Sequence, residues 1–291
     1  MKKPIPQRFL TLLKQAIPLV SILIVLALQE FVAAQAAPAS SALPVPPSPM
    51  QRPGSGATGY LARGELNFLQ ILPSYPALQS KEDEVDIAVE RQWQQPVDSA
   101  RWRLAQADAN ASYSRFAEAF GSEISADKSP LLVHLLTRAQ ADVSMAIGDA
   151  KRYYNRPRPY QRFQFDHVCG FATAPSPDAL LKGGNSYPSG HAAFGWTAAQ
   201  VLAAVAPDRA QTILARGREY EESRIVCAVH YPSDVVGGEL LSAAVLGRIN
   251  TQPEFKRDLS CAQQEHEIAL KSRDQMSSEC LILKNQVVSS H

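Results

Sequence analysis

The sequence has almost no excess of charge and few cysteines. Its 29 basic and 28 acidic residues leave a formal charge of +1 over 291 residues, so no nucleic-acid partner is predicted. Only four cysteines are present, and no two of them form a Cys-x-x-Cys pair, which argues against a structural zinc site. The even number permits two disulfides in any of three pairings, with free buried thiols as the alternative.

Long hydrophobic runs are missing after the N-terminus, where no stretch approaches 18 apolar residues without a charge. Residues 1–36 differ, because four basic residues precede the uncharged run from Ala16 to Leu28, and Ala34-Gln35-Ala36 follows it. This order predicts a secretory signal peptide over residues 1–36. The alternative is an uncleaved membrane anchor, but the apolar run is shorter than the ~20 residues that a bilayer requires.

Cleavage after Ala36 removes four positive charges and Glu30, so the net charge changes from +1 to −2. A mildly acidic mature chain is poorly suited to nucleic acid or to an anionic membrane surface. We therefore expect a periplasmic or secreted protein with no stable membrane association after signal cleavage.

Strand-like alternation and internal repeats are also missing. The pattern predicts an all-α protein, a single-domain helical bundle over residues 60–250. A Pro/Ser/Ala-rich leader over residues 37–59 precedes the bundle, and a polar tail over residues 251–291 follows it. The tail is expected to be either a helix pinned by Cys261 and Cys280 or a frayed end.

Apolar periodicity and end signals place the helices within the bundle. The first has Val85, Ala88, Val89 and Trp93 on its apolar face. A later helix starts with Ser129 as N-cap and Pro130 in the first turn. The segment from Gln161 to Gly184 is predicted to be a loop. The predicted helices are Lys81 to Gln94, Arg101 to Phe120 with a stop at Gly121, Pro130 to Lys151, His191 to Val205, Ala210 to Ala228, and Pro232 to Ile249.

The run Pro188-Ser189-Gly190-His191 lies where a loop enters a helix. A helix N-terminus presents unpaired N–H groups that favour an anion, and Gly190 lets the backbone approach a ligand closely. Ser189 can add a hydroxyl hydrogen bond, and the ring of His191 can face the same anion. The alternative is a serine N-cap beside a surface histidine.

His230 and Asp234 are four residues apart, around the predicted helix start at Pro232. A carboxylate that accepts from one imidazole nitrogen fixes the tautomer and leaves the other nitrogen reactive. That pair suits a nucleophile or a base. The alternative is a capping Asp beside an unrelated His.

Three cations accompany these groups: Lys151, Arg158 and Arg224. Each alone would be an ordinary surface charge. Arg224, however, directly precedes the mostly apolar run from Ile225 to Val229, and a charged side chain beside a buried run needs a partner. An anionic ligand would supply that partner.

Together these residues resemble a known signature. Lys151 with Arg158-Pro159, then Pro188-Ser189-Gly190-His191, then Ser223-Arg224 with His230 and Asp234 is similar to the three-part motif of the type 2 phosphatidic acid phosphatase superfamily. Asn185-Ser186-Tyr187 and the signal peptide most resemble class A bacterial non-specific acid phosphatases, from about residue 66 to about residue 249. The resemblance implies the helical fold that acid phosphatases share with vanadium haloperoxidases.

The resemblance also implies a role for each matching residue. His230 corresponds to the nucleophile that forms a phosphohistidine, Asp234 to the residue that orients it, and His191 to the general acid. The implied phosphate-binding groups are Lys151, Arg158, Ser189, Gly190 and Arg224. The implied activity is hydrolysis of small phosphate monoesters with broad specificity, without a metal or another cofactor. Family members are often homo-oligomers.

Three other functions compete with this one. A vanadium-dependent haloperoxidase would use the same kind of pocket, but those enzymes are generally much longer. A lipid phosphatase of the same superfamily would carry several membrane spans. A non-catalytic phosphate-binding module would need neither histidine. Within the leading function, the sequence does not rank the substrates.

Overall fold

The computed structural model describes residues 58–169 and 185–289, and no strand occurs within these ranges, which confirms the predicted all-α fold. The predicted signal peptide and most of the predicted leader lie outside the described residues. Short 3₁₀ turns accompany the α-helices, which are α1 (Lys81–Gln92), α2 (Ala100–Ala107), α3 (Ala117–Phe120), α4 (Pro130–Tyr154), α5 (Pro159–Arg162), α6 (Gly190–Val205), α7 (Ala210–Val226), α8 (Pro232–Ile249), α9 (Pro253–Ala269) and α10 (Ser278–Ser289).

Helix α6 lies at the centre of the bundle and packs against α4, α7 and α8. Its small side chains make this possible, because Ala192, Ala193, Ala198 and Ala199 are fully buried and allow neighbouring helices to approach closely. Helix α4 adds the largest apolar face, with Leu132, Leu135, Leu136, Ala139 and Val143 buried. The bundle thus holds the ends of four helices close together.

The helix predicted from Arg101 to Phe120 is interrupted, so that prediction was wrong in its middle. Helix α2 ends at Ala107, a 3₁₀ turn covers Tyr113–Phe116, and α3 follows it. The physical reason is Asp108, whose fully buried carboxylate accepts hydrogen bonds from Arg115 and Ser223 and so ends the helix. Gly121 ends α3 with φ at 88°, as predicted.

The apolar stripe predicted for α1 faces the core only at its end, where Trp93 packs against core side chains. Val85 is 61% exposed, whereas Asp83, Asp86 and Glu90 are buried. Buried carboxylates need cationic partners. The turn between α4 and α5 supplies Arg156, and the last residue of α5 supplies Arg162. Charge pairing therefore decides which face of α1 is buried.

Ser129 is the N-cap residue of α4, but its side chain makes no capping hydrogen bond. Its hydroxyl donates instead to the carbonyl of Ser125. The capping acceptor is Glu265 of α9, whose Oε2 accepts from the backbone N–H groups of Leu131 and Leu132 at 3.0 and 3.1 Å. A residue distant in sequence thus replaces the predicted local cap.

The C-terminal segment is helical rather than frayed. Phe255 and Ala262 of α9 belong to the main core, and a disulfide between Cys261 and Cys280 joins α9 to α10. A second disulfide joins Cys169 to Cys227, at the end of α7. In the described ranges, no helix combines the length and the apolar character needed to cross a bilayer.

Candidate active site

The eight predicted site residues lie where α4 and α7 end and where α6 and α8 begin. The chain around the ends of α4 and α7 carries the cations, which are Lys151, Arg158 and Arg224. The chain around the starts of α6 and α8 carries the remainder, which are Ser189, Gly190, His191, His230 and Asp234. The backbone N–H of Ser189 donates to the carbonyl of Asp234 at 2.8 Å, so the two helix starts are joined directly.

The ring of His230 contacts Asp234 on one side and Arg158 on the other. Its Nδ1 lies 3.3 Å from Oδ2 of Asp234, and its Nε2 lies 3.2 Å from Nη1 of Arg158. An ionised carboxylate only accepts hydrogen bonds, so Nδ1 carries the proton and Nε2 keeps its lone pair. Burial first, and then the charges of Arg158 and Lys151, hold the pKa of His230 well below its ordinary value. The arrangement suits a neutral nucleophile at Nε2.

Asp234 is fully buried and saturated with donors. Its Oδ2 accepts from the backbone N–H of Tyr231 at 3.0 Å and from the hydroxyl of Ser186, and its Oδ1 accepts from Arg156 at 2.7 Å. Burial raises the pKa of this carboxyl, and Arg156 is the strongest opposing influence. The carboxylate is therefore fixed in orientation before it meets the imidazole.

Arg158 stands over the reactive nitrogen of His230. Its Nη1 also donates to the carbonyl of Val229 at 2.8 Å, which fixes the guanidinium beside the ring. Burial lowers its pKa from the ordinary value, so the cation lacks the solvation that water would give. A phosphoryl oxygen in front of Nε2 would find a donor already in position.

Lys151 points its ammonium at the loop before α6. It donates to the carbonyls of Asn185 at 2.7 Å and Ser186 at 3.0 Å, which leaves one of its three N–H groups for a ligand. A Cβ at Gly190 would lie 3.7 Å from Cε of Lys151, so the first residue of α6 adjoins this amine. Burial, with Arg158 nearby, lowers the pKa of Lys151 to about 7.

The start of α6 forms the third side of the cluster. The hydroxyl oxygen of Ser189 accepts from the backbone N–H of Ala192 at 3.2 Å, so its own proton stays free to donate. The first N–H groups of this 16-residue helix carry the partial positive charge that favours an anion. The turn also needs Gly238 of α8, because a Cβ there would lie 2.4 Å from the carbonyl oxygen of Ser189.

His191 lies in the first turn of α6 and reaches the turn after α2. Its Nε2 lies 3.0 Å from the carbonyl oxygen of Ala109, and since a carbonyl only accepts, Nε2 carries a proton. That contact leaves Nδ1 for a proton in transit. Burial and the charge of Arg224 lower the pKa of His191 to about 4, against the opposing effect of the Ala109 carbonyl.

Arg224 is buried, with 3% of its surface exposed. Its Nη2 donates to the carbonyl of Ala105 at 3.0 Å, and its Nε–H has no hydrogen-bond partner within the described ranges. Burial lowers its pKa to about 10. An anion beside this arginine would supply the missing acceptor, as the sequence analysis anticipated.

Sequence reasoning missed several residues that hold the cluster. Arg156 and Ser186 both contact Asp234, although they stand in segments from which only the neighbouring Arg158 and Ser189 were selected. Asp108 accepts from the hydroxyl of Ser223 at 2.8 Å. One available signal was the spacing of the acidic residues on α1, because positions 83, 86 and 90 share one face of a helix.

Two further observations concern the surroundings of the cluster. No group of three or more His, Cys, Asp or Glu side chains suited to a metal ion occurs in residues 58–169 and 185–289. A cavity of about 250 Å³ lies apart from the cluster, between α4 and α9, and Phe120, Leu132 and His266 are among its lining residues. None of the eight predicted residues lines that cavity.

A family model and several curated proteins match this chain. The model of the PAP2 superfamily matches residues 131–258, a segment that contains all eight predicted site residues. The non-specific acid phosphatase of Salmonella typhimurium is 34% identical over 175 residues, which cover 57% of this chain and 67% of the Salmonella protein.

Two other relatives carry similar names. The acid phosphatase of Zymomonas mobilis subsp. mobilis is 36% identical over 178 residues, covering 60% of this chain and 66% of that protein. The non-specific acid phosphatase of Providencia stuartii is 37% identical over 153 residues, covering 52% of this chain and 59% of its own length. The aligned segments thus span about two thirds of these relatives or slightly less.

Proposed function

The chain belongs to the PAP2 superfamily as a class A acid phosphatase, and we propose that it is exported and hydrolyses diverse phosphate monoesters through a phosphohistidine on His230. The observation that carries this proposal is the orientation of the His230 ring. Its Nδ1 faces a buried carboxylate, and its Nε2 faces the arginine that a phosphate would contact.

In the first step, the lone pair on Nε2 of His230 attacks phosphorus, so that a P–N bond forms and the P–O bond to the alcohol breaks. The departing oxygen takes a proton from His191, and the alcohol leaves neutral. The negative charge of the phosphoryl oxygens meets Lys151, Arg158 and Arg224, together with the hydroxyl of Ser189. These donors accelerate the reaction because they are held in place before the substrate binds, so they need no reorganisation in the transition state.

In the second step, water attacks the phosphorus and the P–N bond breaks. The deprotonated His191 accepts a proton from that water, and Nε2 of His230 recovers its lone pair. The products are one alcohol and one inorganic phosphate per water consumed. Splitting one displacement into two, each with a positioned acid or base, is the advantage of the covalent route.

The electrostatics favour an acidic optimum. Lys151, with a pKa of about 7, is charged below neutrality and loses its charge as the pH rises through that value. His191 must be protonated to act as an acid, and its pKa of about 4 in the free protein rises when a phosphate dianion offsets the nearby cations. His230 stays neutral to low pH because its pKa is strongly lowered. Activity should therefore be bell-shaped and fall above neutrality.

Export rests on the predicted signal peptide over residues 1–36 and agrees with the two disulfides, which persist in oxidising compartments. We propose a periplasmic or secreted enzyme without stable membrane association after cleavage. Its proposed partners are small phosphate monoesters and not nucleic acid. A homo-oligomer is compatible with the proposal. Isolation of the protein from the cell envelope should yield an N-terminus at Ala37, and an intact Met1 there would contradict export by cleavage.

The test is hydrolysis of an aryl phosphate by the mature protein from about pH 4 to pH 9, with and without a chelator and with vanadate in a parallel series. We expect chelator-resistant turnover that peaks below neutrality and that vanadate inhibits. Rapid mixing, a base quench and peptide mapping should find phosphate on His230, and His230→Ala should abolish both turnover and label.

Other outcomes identify the competing functions. Folded protein without turnover on any monoester would contradict the proposal. Halide oxidation by the vanadate-loaded protein with peroxide would favour a haloperoxidase. Turnover restricted to lipid phosphates in detergent would favour a lipid phosphatase.

A further inference from the structure

Two arginines two residues apart have different surroundings. Arg158 faces the reactive nitrogen of His230, whereas Arg156 lies behind Asp234, on the side away from the imidazole. None of the Arg156 side chain is exposed. Its Nη1 donates to Oδ1 of Asp234 at 2.7 Å and to the hydroxyl of Ser233 at 2.7 Å. Within the described ranges its hydrogen bonds go to Asp234, Ser233 and Asp86 and to neither site histidine, which favours a supporting role over direct phosphate binding.

The second guanidinium nitrogen of Arg156 reaches helix α1. Its Nη2 donates to Oδ2 of Asp86 at 2.9 Å and lies 3.5 Å from Oδ1 of Asp83. Oδ1 of Asp86 in turn accepts from the backbone N–H of Ser233, at the start of α8, at 3.1 Å. Asp86, Arg156 and Asp234 therefore form one continuous buried chain that ends at Nδ1 of His230.

Aromatic rings hold the same guanidinium from the sides. The ring of Tyr231 lies 3.9 Å from Cζ of Arg156, and the ring of Tyr75 lies 5.1 Å from it. Such cation–π contacts are strongest for a desolvated cation. With three carboxylates and two rings around it, the side chain is held in one position, and that position sets the orientation of the Asp234 carboxylate.

Resting on the phosphohistidine function, we propose that Arg156 is a positioning residue, which together with Asp86 of α1 keeps the Asp234 carboxylate ionised and aimed at Nδ1 of His230. The acidic face of α1, which the apolar pattern of the sequence hid, then has a function in catalysis. The effect passes through Asp234 and not through the phosphate.

Charge explains why the support is needed. Asp234 is completely buried, and burial alone favours its protonated form, which accepts from Nδ1 more weakly and carries no charge to stabilise the imidazolium. Arg156 is the largest influence that opposes this rise in the pKa of Asp234. Without Arg156 the pKa of Asp234 rises further. On acidification, the ionised form of Asp234 is then lost at a higher pH than in the wild type. The titratable and charged groups that face Asp234 from the packed elements are Lys151, Arg156, Arg158, Glu90, Asp86, Tyr187 and His230.

Glu90 provides a matched control on the same helix. It is fully buried one turn after Asp86, and neither carboxyl oxygen has a hydrogen-bond partner in the described ranges. Burial and the charges of Asp234 and Asp86 raise the pKa of Glu90 well above its ordinary value, which favours its neutral form. Glu90→Gln preserves shape and charge, and it should leave phosphorylation of His230 unchanged.

The experiment is a double-mutant cycle between Arg156→Met and Asp234→Asn, read as the rate of His230 phosphorylation by an aryl phosphate in rapid-quench mixing. Each single variant should slow phosphorylation about 10- to 100-fold, while the affinity for vanadate changes little. The double variant should be no slower than the slower single variant, because both changes remove the same support. Arg156→Met should also move the acidic limb of phosphorylation to higher pH.

Further variants keep the test decisive if Arg156→Met does not fold. Asp86→Asn retains the size of the side chain but removes the carboxylate that holds Nη2 of Arg156, and it should slow phosphorylation by a smaller factor. Multiplicative losses in the double variant, or an unchanged rate of phosphorylation in folded Asp86→Asn, would overturn the inference. A wild-type protein that hydrolyses monoesters without a His230 phosphoenzyme would instead overturn the proposed function, and this inference with it.

Discussion

At the scale of single residues, the two histidines differ in what holds their second nitrogen. The Nδ1–H of His230 donates a hydrogen bond to a carboxylate. This favours a nucleophilic role, because the carboxylate stabilises the positive charge that develops on the ring. The Nε2–H of His191 donates a hydrogen bond to the carbonyl of Ala109, which is a weaker acceptor, and the ring lies among cations. A ring with a lowered pKa gives up its other proton readily, which suits a general acid.

The first prediction concerns proton uptake by His191. Its pKa of about 4 in the free protein should rise when an oxyanion offsets Arg224, Arg158 and Lys151. Between the free and bound pKa values, binding must therefore take up a proton. Calorimetric titration with vanadate at about pH 5.5, in buffers of different ionisation enthalpy, should give an uptake of about half a proton or more. His191→Ala should abolish it.

The leaving-group dependence offers an independent check on the same residue. His191→Ala should lose more activity on an alkyl phosphate than on an aryl phosphate, since only the poor leaving group needs the proton strongly. Equal losses on both substrates, together with unchanged proton uptake, would contradict the assignment of His191 as the acid.

At the scale of elements, the turn between α2 and α3 is part of the site although it carries no predicted catalytic residue. It presents the carbonyl of Ala109 to His191, while the last turns of α2 present the carbonyl of Ala105 to Arg224. Asp108 anchors the turn with hydrogen bonds to Arg115, Arg216 and Ser223. This last contact also gives a physical role to the serine of the Ser223-Arg224 pair.

The second prediction follows from this anchor. Asp108→Asn leaves Arg115 and Arg216 without their ionised acceptor and should destabilise the protein by about 1–3 kcal/mol. The turn should loosen, so that His191 loses its fixed orientation and turnover of an alkyl phosphate falls more than that of an aryl phosphate. Thermal unfolding and steady-state kinetics on both substrates measure the two effects.

Asp98→Asn is the matched control for Asp108→Asn. Asp98 is exposed, and its backbone carbonyl accepts a hydrogen bond from Arg103, which the substitution leaves in place. Neither stability nor the ratio of the two activities should change. If folded Asp108→Asn kept the wild-type ratio, the turn would have no part in positioning His191.

At the scale of the whole molecule, the two disulfides join different kinds of structure. Cys261–Cys280 closes 19 residues and ties α10 to α9, away from the predicted site residues. Cys169–Cys227 closes 58 residues and holds the end of α7, close in sequence to Arg224 and His230. The first therefore serves stability, whereas the second also holds chain that carries site residues.

The third prediction separates these roles. Replacing Cys261 and Cys280 by alanine should lower the free energy of unfolding by about 3 kcal/mol, and replacing Cys169 and Cys227 by about 4 kcal/mol, from loop closure in the unfolded chain. Only the second pair should also lower turnover under conditions where both variants remain folded. Denaturant unfolding and aryl phosphate kinetics measure the two effects. Equal turnover in both variants would show that the Cys169–Cys227 bridge has no influence on the site.

The sequence by itself determined the helical class and several helix ends. Apolar spacing, Pro130, Pro232 and Gly121 are local signals, and local hydrogen bonding and sterics determine where a helix starts or stops. It also singled out eight residues, which the fold brings together around four helix ends. Their catalytic roles stay predictions, because the geometry places the side chains together and only a measurement of turnover tests what they do.

The tertiary structure decided what depends on distant partners. Four features depend on residues remote in sequence. They are the burial of Asp86 in place of Val85 on α1, the break at Asp108, the cap that Glu265 gives to α4, and the pairing of the cysteines. Local sequence alone did not separate Arg156 from Arg158, because each arginine precedes a proline, and only the match to the family motif selected Arg158. A buried charge is stabilised only by the group that meets it in the fold, and no local pattern contains that group.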